Sequence, residues 1–171
     1  MTTPGTVAWL TGLPAAGKTT IADLVAAGLH DGGQSAEVID GDRFRASAAR
    51  QLGFTEAARA ANVAAIITAA AQLRESVNFV LVAAVSPYRR LRAQARARFQ
   101  PRFIEVHVTA PLEECIRRDP KGLYAQAMAG EIDHFTGISD PYEPPQAPEL
   151  VLNTLRATPE ESAGALLALL T

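Results

Sequence analysis

"GTVAWLTGLPAAGKTTIADLVAAGLH", residues 5–30, joins a short apolar run to a helical pattern through a glycine-rich turn. The apolar run at residues 5–12 has the length of a buried strand, and apolar residues recur at helical spacing over residues 18–30. Between them, Gly12 to Thr19 match the pattern G-x-x-x-x-G-K-[ST] at every fixed position. A strand, this loop and a helix in that order predict a phosphate-binding loop inside an α/β domain.

The residue types of this loop indicate how it binds a nucleotide. Its glycines let the backbone curl so that successive N–H groups face the phosphates, and the start of the helix adds a positive dipole end. We expect Lys18 to reach the β- and γ-phosphates of ATP and the Thr19 hydroxyl to ligate Mg²⁺. The expected ATP-binding residues are Gly12, Leu13, Pro14, Ala15, Ala16, Gly17, Lys18, Thr19 and Thr20.

Apolar runs and helical segments alternate along the rest of the chain. Four further strands are predicted, at residues 35–40, 78–86, 102–110 and 149–154. Further helices are predicted at residues 44–52, 55–76, 87–99, 111–119 and 158–170. This alternation predicts an α/β, doubly wound fold, the P-loop NTPase fold, with a five-stranded, mainly parallel sheet and helices on both faces.

Length and composition indicate one domain, residues 1–171. A chain of 171 residues that is 48% hydrophobic buries roughly two thirds of its unfolded surface, enough for a single core. Residues 120–148 hold five of the eleven prolines and show little periodicity, which is typical of an ordered loop or lid over a site. The single cysteine, Cys115, is expected to be a buried or half-buried thiol.

Charge and hydropathy exclude several partners. The 18 acidic and 16 basic residues leave a net charge of -2, and the basic residues are scattered, so we expect no nucleic-acid partner. The sequence has neither an apolar stretch long enough to cross a bilayer nor a secretory leader pattern, so we expect a cytoplasmic protein without a membrane partner.

A phosphate-binding loop alone does not distinguish a switch, a motor and a kinase. A GTPase needs an [NT]KxD motif for its base, and the chain has none. A motor ATPase usually ends a strand in an acidic residue, whereas the apolar run at 78–86 ends in Ala84, Val85 and Ser86. The remaining class is a small phosphotransferase.

The stretch "VIDGDRFR", residues 38–45, supplies carboxylates beside the loop. Asp40 and Asp42 follow the second predicted strand, at the edge of the sheet where ligands bind. They can orient Mg²⁺ through water and accept a hydroxyl proton, or they can form a simple turn. Arg59 and Asn62 follow on a helix, and with Arg45 they can either converge on an anionic ligand or lie on solvated helix faces.

At this point the chain resembles the adenylylsulfate kinase family over nearly its whole length. The resemblance is carried by "WLTGLPAAGKTT", "DGDRFR", "LGFTEAARAAN", "VSPYR", "FIEVHV", "RDPKGLY", "FTGISDPYEPP" and "ELVLNT", in the family's order and spacing. It implies ATP- and Mg²⁺-dependent phosphorylation of the 3′-hydroxyl of adenosine 5′-phosphosulfate (APS), which gives 3′-phosphoadenosine 5′-phosphosulfate (PAPS) in sulfate activation. It also implies a homodimer.

The resemblance assigns roles to individual residues. The catalytic group that it implies is Lys18, Asp40, Asp42 and Ser86. Asp40 is then the carboxylate near the acceptor hydroxyl, and Asp42 is its acidic companion. The implied acceptor-binding residues are Asp40, Asp42, Arg45, Phe54, Arg59, Asn62, Val85, Ser86, Lys121, Phe135, Gly137 and Ile138. Among them, Arg45 and Arg59 hold the phosphosulfate, Asn62 hydrogen-bonds the acceptor, and the two phenylalanines stack on its adenine.

Ser86 is assigned within this family either as a phosphorylated intermediate or as a residue that binds the acceptor. A serine nucleophile needs an adjacent base, and the flanking residues "AAV" and "PY" offer none. We therefore favour direct in-line transfer, with the Ser86 hydroxyl as an acceptor contact.

The chain uses only two lysines against fourteen arginines, so each lysine marks a position where arginine fails. Lys18 must fit inside a ring of backbone amides. Lys121 lies between Pro120 and Gly122 at the start of the expected lid, where the resemblance places its compact ammonium group against the acceptor.

Four residues depart from the family's common pattern: Arg43 stands in place of Asn, Gln51 of Asp, Ala58 of Asp and Val85 of Ile. All four lie on the acceptor side, so a related kinase acting on another nucleotide-linked acceptor stays open as an alternative. A regulatory nucleotide-binding protein without turnover has no need for an acceptor-side carboxylate pair, and the pair is retained.

Overall fold

The computed structural model of this protein describes residues 3–47 and 53–171, apart from the side chain of Ser47. Its five strands are β1 (Thr6–Thr11), β2 (Ala36–Asp40), β3 (Phe79–Ala83), β4 (Phe103–Thr109) and β5 (Leu150–Asn153). They form one sheet in the order β2-β3-β1-β4-β5, and each neighbouring pair is parallel. All five predicted strands are confirmed, in a sheet that is parallel throughout these residues.

The helices over the same residues are α1 (Lys18–Asp31), α2 (Gly41–Ser47), α3 (Glu56–Leu73), α4 (Arg89–Phe99), α5 (Leu112–Arg118), α6 (Leu123–Met128) and α7 (Pro159–Leu170). Thr55 caps α3 by accepting from the Ala58 amide, and Thr158 forms a capping box with Glu161 at the start of α7. The helices predicted from 55, 87, 111 and 158 are therefore confirmed to within a turn.

Two predictions about helices need correction. The helix predicted over 44–52 begins earlier, at Gly41, because the Asp40 carboxylate accepts the first free amides of α2, and its predicted end lies outside the described residues. Helix α6 was not predicted at all. With only six residues, it has too few turns to show a helical period in the sequence. Two amides in its first turn donate to the carboxylate of Asp119, a contact that a sequence pattern does not reveal.

Helices cover both faces of the sheet. Trp9 points into a core shared with α3 and α4, whereas the next residue, Leu10, points into a core shared with α1, α5 and α7, and both side chains are fully buried. Burial on both faces explains why β1 and β3, which lie inside the sheet, are almost continuously apolar instead of alternating. Cys115 is also fully buried, as predicted, in the second of these cores.

The carboxyl edge of the sheet positions the candidate site. The glycine-rich loop follows β1, Asp40 ends β2, Val85 follows β3 and Thr154 follows β5, so their side chains meet at one edge. None of the helices in the described ranges has the length and apolar character needed to span a bilayer.

The 120–148 segment is fastened to the body of the protein near its C-terminal end. The Tyr142 hydroxyl lies 3.0 Å from that of Thr11. The main chain of Glu143 accepts a hydrogen bond from Arg92 at 2.6 Å and donates one to the Pro87 carbonyl at 2.8 Å. These contacts tie the segment to β1 and to the residues after β3.

Candidate active site

A cavity of about 580 Å³ opens at the carboxyl edge of the sheet. One end is formed by the glycine-rich loop, the other by α2, the start of α3 and the 120–148 segment. Six of the expected ATP-binding residues line it: Pro14, Ala15, Gly17, Lys18, Thr19 and Thr20. Eight of the expected acceptor-binding residues line it as well: Asp40, Asp42, Arg45, Phe54, Arg59, Val85, Lys121 and Phe135.

The loop after β1 has the backbone geometry that a phosphate site needs. Ala15 and Gly17 adopt positive φ angles of 63° and 105°, which turn successive amides to one side. Gly12 packs so closely on β4 that a Cβ atom would lie 2.1 Å from the Val108 carbonyl oxygen. Gly12 therefore has no room for a side chain, and together with Leu13 and Ala16 it builds the loop instead of lining the cavity.

Lys18 is bound inside this loop. Its Nζ donates to the carbonyls of Gly12 at 3.0 Å and Leu13 at 2.8 Å, and the residue is only 8% exposed. Burial lowers the pKa of its ammonium group to about 8, although the nearby carboxylates of Asp42 and Asp40 oppose the shift. A phosphate group placed against Nζ would stabilise the charged form.

Asp40 joins the two ends of the cavity. One of its carboxylate oxygens accepts a hydrogen bond from the Thr19 hydroxyl, and the other accepts the amides of Asp42 at 3.0 Å and Arg43 at 2.9 Å. The residue is buried. A hydroxyl and a carboxylate side by side fit a divalent cation that prefers oxygen ligands, with nucleotide phosphates supplying further oxygens.

Asp42 forms an ion pair with Lys121 across the cavity. The Lys121 Nζ lies 2.8 Å from a carboxylate oxygen of Asp42, and each side chain is more than half exposed. Burial acts to raise the pKa of Asp42, but the hydrogen bond and charge of Lys121, together with the charge of Lys18, outweigh it and hold that pKa below its ordinary value. Asp42 therefore stays ionised at neutral pH.

The acceptor end of the cavity is a cluster of aromatic rings and guanidinium groups. The guanidinium carbons of Arg45 and Arg59 lie 5.0 and 5.5 Å from the centre of the Phe54 ring. Phe135 meets Phe54 edge-on at 6.2 Å and Tyr124 at 5.1 Å. The cluster brings together residues from α2, α3, α6 and the loops around them.

Polar atoms in this cluster lack partners. Arg59 donates to the carbonyls of Phe54 at 2.9 Å and His134 at 2.8 Å, but Nε of Arg45 and Oδ1 of Asn62 are buried without any hydrogen bond to the described residues. Burial also lowers the pKa of both arginines. Because unsatisfied buried groups cost about 1–3 kcal/mol each, this end of the cavity favours an anionic, hydrogen-bonding ligand.

Ser86 is held at the base of the site. It adopts a positive φ of 45°, its hydroxyl accepts a hydrogen bond from the indole of Trp9 at 2.9 Å, and its carbonyl accepts one from Arg92 at 2.6 Å. Together with Asn62 it lines a small cavity adjoining the main one. Within residues 3–47 and 53–171, no carboxylate or imidazole hydrogen-bonds its hydroxyl, so its surroundings supply no base for a nucleophile.

Two expected acceptor residues lie outside both cavities. Gly137 has a φ of 95° and packs against the loop, where a Cβ atom would lie 3.2 Å from the side chain of Leu13. Ile138 is partly exposed, at 37%. Both residues belong to the 120–148 segment.

Sequence reasoning assigned no role to the residues that line the far side of the glycine-rich loop. They are Arg118, Thr154, Ala157 and Pro159. Arg118 donates to the Thr154 carbonyl at 2.9 Å and to its hydroxyl at 3.0 Å, and that hydroxyl donates to the Ala16 carbonyl at 2.8 Å. The signal was in the "RDPKGLY" and "ELVLNT" motifs, but only the strand order brings them together.

Known proteins are similar to this chain in sequence and in fold. The family model described as adenylylsulphate kinase matches residues 4–153. An adenylyl-sulfate kinase of Halothermothrix orenii is 49% identical over 94% of this chain and 86% of its own length. A probable adenylyl-sulfate kinase of Aeropyrum pernix is 45% identical over 96% of this chain and 92% of its own length.

Solved structures agree with the sequence relatives. The Mycobacterium tuberculosis APS kinase CysC in complex with AMPPNP and APS is 42% identical, covers 99% of both chains and superposes with a TM-score of 0.93. A Sinorhizobium meliloti gluconokinase, 16% identical with a TM-score of 0.63 over 98% of this chain and 93% of its own, shares the fold alone. The P-loop kinase fold predicted from the sequence is therefore confirmed.

Proposed function

Because this chain belongs to the adenylylsulfate kinase family, we propose that it transfers the γ-phosphoryl group of ATP to the 3′-hydroxyl of APS, giving PAPS and ADP in sulfate activation. The observation that carries the mechanism is the position of Asp40. Its carboxylate contacts Thr19 in the nucleotide loop and the first amides of α2, where the acceptor wall begins. A single carboxylate thus touches both halves of the cavity.

On the donor side, Lys18 exchanges its two carbonyl partners for the β- and γ-phosphates of ATP. Mg²⁺ bound to those phosphates would supply charge neutralisation, and the Thr19 hydroxyl and the Asp40 carboxylate are the oxygens that fit it. Arg118, whose guanidinium group is held by Thr154, and Pro159 both line the cavity. We assign these two residues to the adenine of ATP, since a guanidinium group stacks favourably on an aromatic ring.

On the acceptor side, Arg45 and Arg59 bind the phosphosulfate, since guanidinium groups form paired hydrogen bonds with oxyanions. The unsatisfied Nε of Arg45 supports this assignment. Phe54 and Phe135 stack on the adenine, and the unsatisfied Oδ1 of Asn62 accepts a hydrogen bond from the acceptor. Val85, Ser86, Lys121, Gly137 and Ile138 complete the acceptor contacts that the family resemblance implies.

The chemical step is a direct in-line displacement. The 3′-oxygen of APS forms a bond to the γ-phosphorus while the bond from that phosphorus to the bridging oxygen of ADP breaks. The hydroxyl proton passes to the Asp40 carboxylate. Asp42, kept ionised by Lys121, is its acidic companion, and the 120–148 segment excludes water from the transferring group when it closes over both ligands.

The acceptor end supports APS, but Arg43 and Ala58 depart from the family pattern there, so the test compares acceptors. The purified chain is incubated with ATP and Mg²⁺, and ADP release is measured with APS, adenosine 5′-monophosphate or no acceptor. We expect rapid release with APS alone and PAPS as the product by mass spectrometry. Release with a different nucleotide would favour the related-kinase alternative, and no release with APS would refute the proposal.

We also propose the assembly and location that the resemblance implies, a homodimer in the cytoplasm. Light scattering after size-exclusion chromatography tests the first point, and we expect a particle of twice the chain mass of 18.1 kDa.

A further inference from the structure

Among the residues that the structure describes, six cationic side chains line the main cavity: Lys18, Arg43, Arg45, Arg59, Arg118 and Lys121. Five of them already contact protein groups through carbonyl oxygens, an aromatic ring or a carboxylate. The side chain of Arg43 has no hydrogen bond, ion pair or ring contact with residues 3–47 or 53–171. It is exposed at the wall of the cavity, so its charge is available to a ligand.

Arg43 is attached close to the proposed proton acceptor. Its backbone amide donates to the Asp40 carboxylate at 2.9 Å, so the Arg43 side chain starts beside the carboxylate that the proposed function places next to the acceptor hydroxyl. The neighbouring Asp42 is turned toward Lys121 and does not pair with this guanidinium group. Arg43 is therefore the cation nearest to Asp40 along α2.

We propose that Arg43 recognises the 3′-phosphate of PAPS after transfer, an inference that rests on the proposed function. Transfer replaces a neutral hydroxyl beside Asp40 with a phosphate that carries close to two negative charges. The added charge lies beside the Asp40 carboxylate, so a cation in addition to Lys18 and Mg²⁺ stabilises it, and the planar guanidinium group binds phosphate through two parallel hydrogen bonds. The acceptor, which has no charge at the 3′ position, gains little from the same contact.

Arg43 thus makes this chain bind its product more tightly than its acceptor. The residue stands where the family commonly has Asn, a side chain without charge. We therefore expect the strong binding of PAPS to depend on this one residue, in which the chain differs from the common family pattern. The single substitution Arg43→Asn should remove it.

The test is calorimetric titration of APS and of PAPS into the chain saturated with ADP and Mg²⁺. We expect Arg43→Asn to weaken PAPS binding about tenfold or more, because a charge-assisted hydrogen bond is lost, and to change APS binding less than about threefold. Arg43→Lys should recover part of the PAPS affinity, since it keeps the charge but loses the fork. Arg102→Asn, the same change at an exposed arginine at the opposite edge of the sheet, should alter neither affinity.

Two other results of this titration overturn the inference. Equal weakening of APS and PAPS would mean that Arg43 binds a group shared by both ligands, and no change in either would mean that it is solvated. If Arg43→Asn unfolds, Arg43→Gln, a better helix former, replaces it in the same titration. If the unchanged chain binds neither ligand, the proposed function itself fails, whereas APS binding without preference for PAPS contradicts the role of Arg43 alone.

Discussion

The two ends of the cavity differ in how their polar groups are satisfied before any ligand binds. At the donor end, the Lys18 ammonium group already donates to two carbonyls of the loop, and the Thr19 hydroxyl already donates to the Asp40 carboxylate. At the acceptor end, Arg45 Nε and Asn62 Oδ1 are buried without partners among the described residues. The polar groups of the donor end thus have hydrogen-bond partners before ATP binds. The acceptor end contains buried polar groups without partners, and we expect the acceptor to form hydrogen bonds with them.

This difference predicts opposite costs of mutation. A change in the donor end breaks contacts that the free protein already makes, so it affects folding and nucleotide binding together. A change in the acceptor end removes a group that the free protein leaves unsatisfied, so it affects acceptor binding with little loss of stability. Asp40, which belongs to both ends, is expected to act on the chemical step.

The largest expected effect is that of Asp40→Asn. Asn keeps the shape of the side chain and still accepts the amides of α2, but it cannot take the hydroxyl proton. We expect kcat to fall by roughly two orders of magnitude or more, while the Kd for ATP measured without Mg²⁺ changes less than about threefold. Asp23→Asn, at an exposed position of α1, is the matched control and should leave kcat unchanged. A kcat within a few-fold of the unchanged chain would remove Asp40 from its role.

Arg45→Met separates acceptor binding from stability. We expect the KM for APS to rise about tenfold or more, because an oxyanion contact is lost. The free energy of unfolding should fall by less than about 1 kcal/mol, a Tm shift below about 4 °C, since Nε has no partner to lose. Arg90→Met, at an exposed ion pair, should leave both unchanged. A large fall in Tm with an unchanged KM for APS would contradict the view that acceptor-end residues contribute to binding more than to stability.

The donor end also predicts a pH dependence of nucleotide binding. Burial lowers the pKa of Lys18 to about 8 in the free protein, and bound phosphates favour its charged form. Above pH 8 the free lysine is largely neutral, so binding must take up a proton, and affinity for ADP and Mg²⁺ should fall by up to about tenfold per pH unit. Calorimetry across pH 7–9.5 measures this slope. Lys18→Met should bind more weakly and lose the dependence; an equal slope in both proteins would contradict the assignment.

The smallest expected effect is that of Lys121→Arg. Arginine keeps the charge opposite Asp42, but its wider fork does not fit where a compact ammonium group meets the acceptor. We expect the KM for APS to rise about threefold to tenfold, because one charged contact with the acceptor is weakened. The KM for ATP should change less than about twofold, since Lys121 is not assigned to ATP. Initial rates with each substrate varied in turn test this. Equal changes in both constants would place Lys121 outside the acceptor contacts.

The same contrast explains what the sequence predicts. The donor loop is contiguous, from Gly12 to Thr20, so a short pattern predicts both its backbone and its chemistry. The five strands were also predictable, because each is a short segment rich in apolar residues that lies between segments of helical period or loops. The acceptor end required the family resemblance, since Arg45, Phe54 and Phe135 come from separate segments and no local pattern links them.

Features that depend on tertiary contacts were missed. Arg118 and Thr154 meet beside the loop only because β5 lies next to β4 in the sheet. The order of the strands cannot be predicted from the pattern of any one segment. Helix α6 is too short to show a period, and its start depends on the Asp119 carboxylate. The early start of α2 likewise depends on Asp40, whose side chain caps the helix while also bonding to Thr19.

The central claim is direct transfer between the two ends, without a phosphorylated Ser86. The hydroxyl of that serine accepts a hydrogen bond from Trp9 and has no base beside it in the described part of the chain. The most direct measurement is the stereochemical course at phosphorus, with ATP made chiral at the γ-phosphate by oxygen isotopes. One in-line displacement predicts inversion of configuration in PAPS, and retention would contradict the account, since it requires two displacements through an enzyme-bound phosphoryl group.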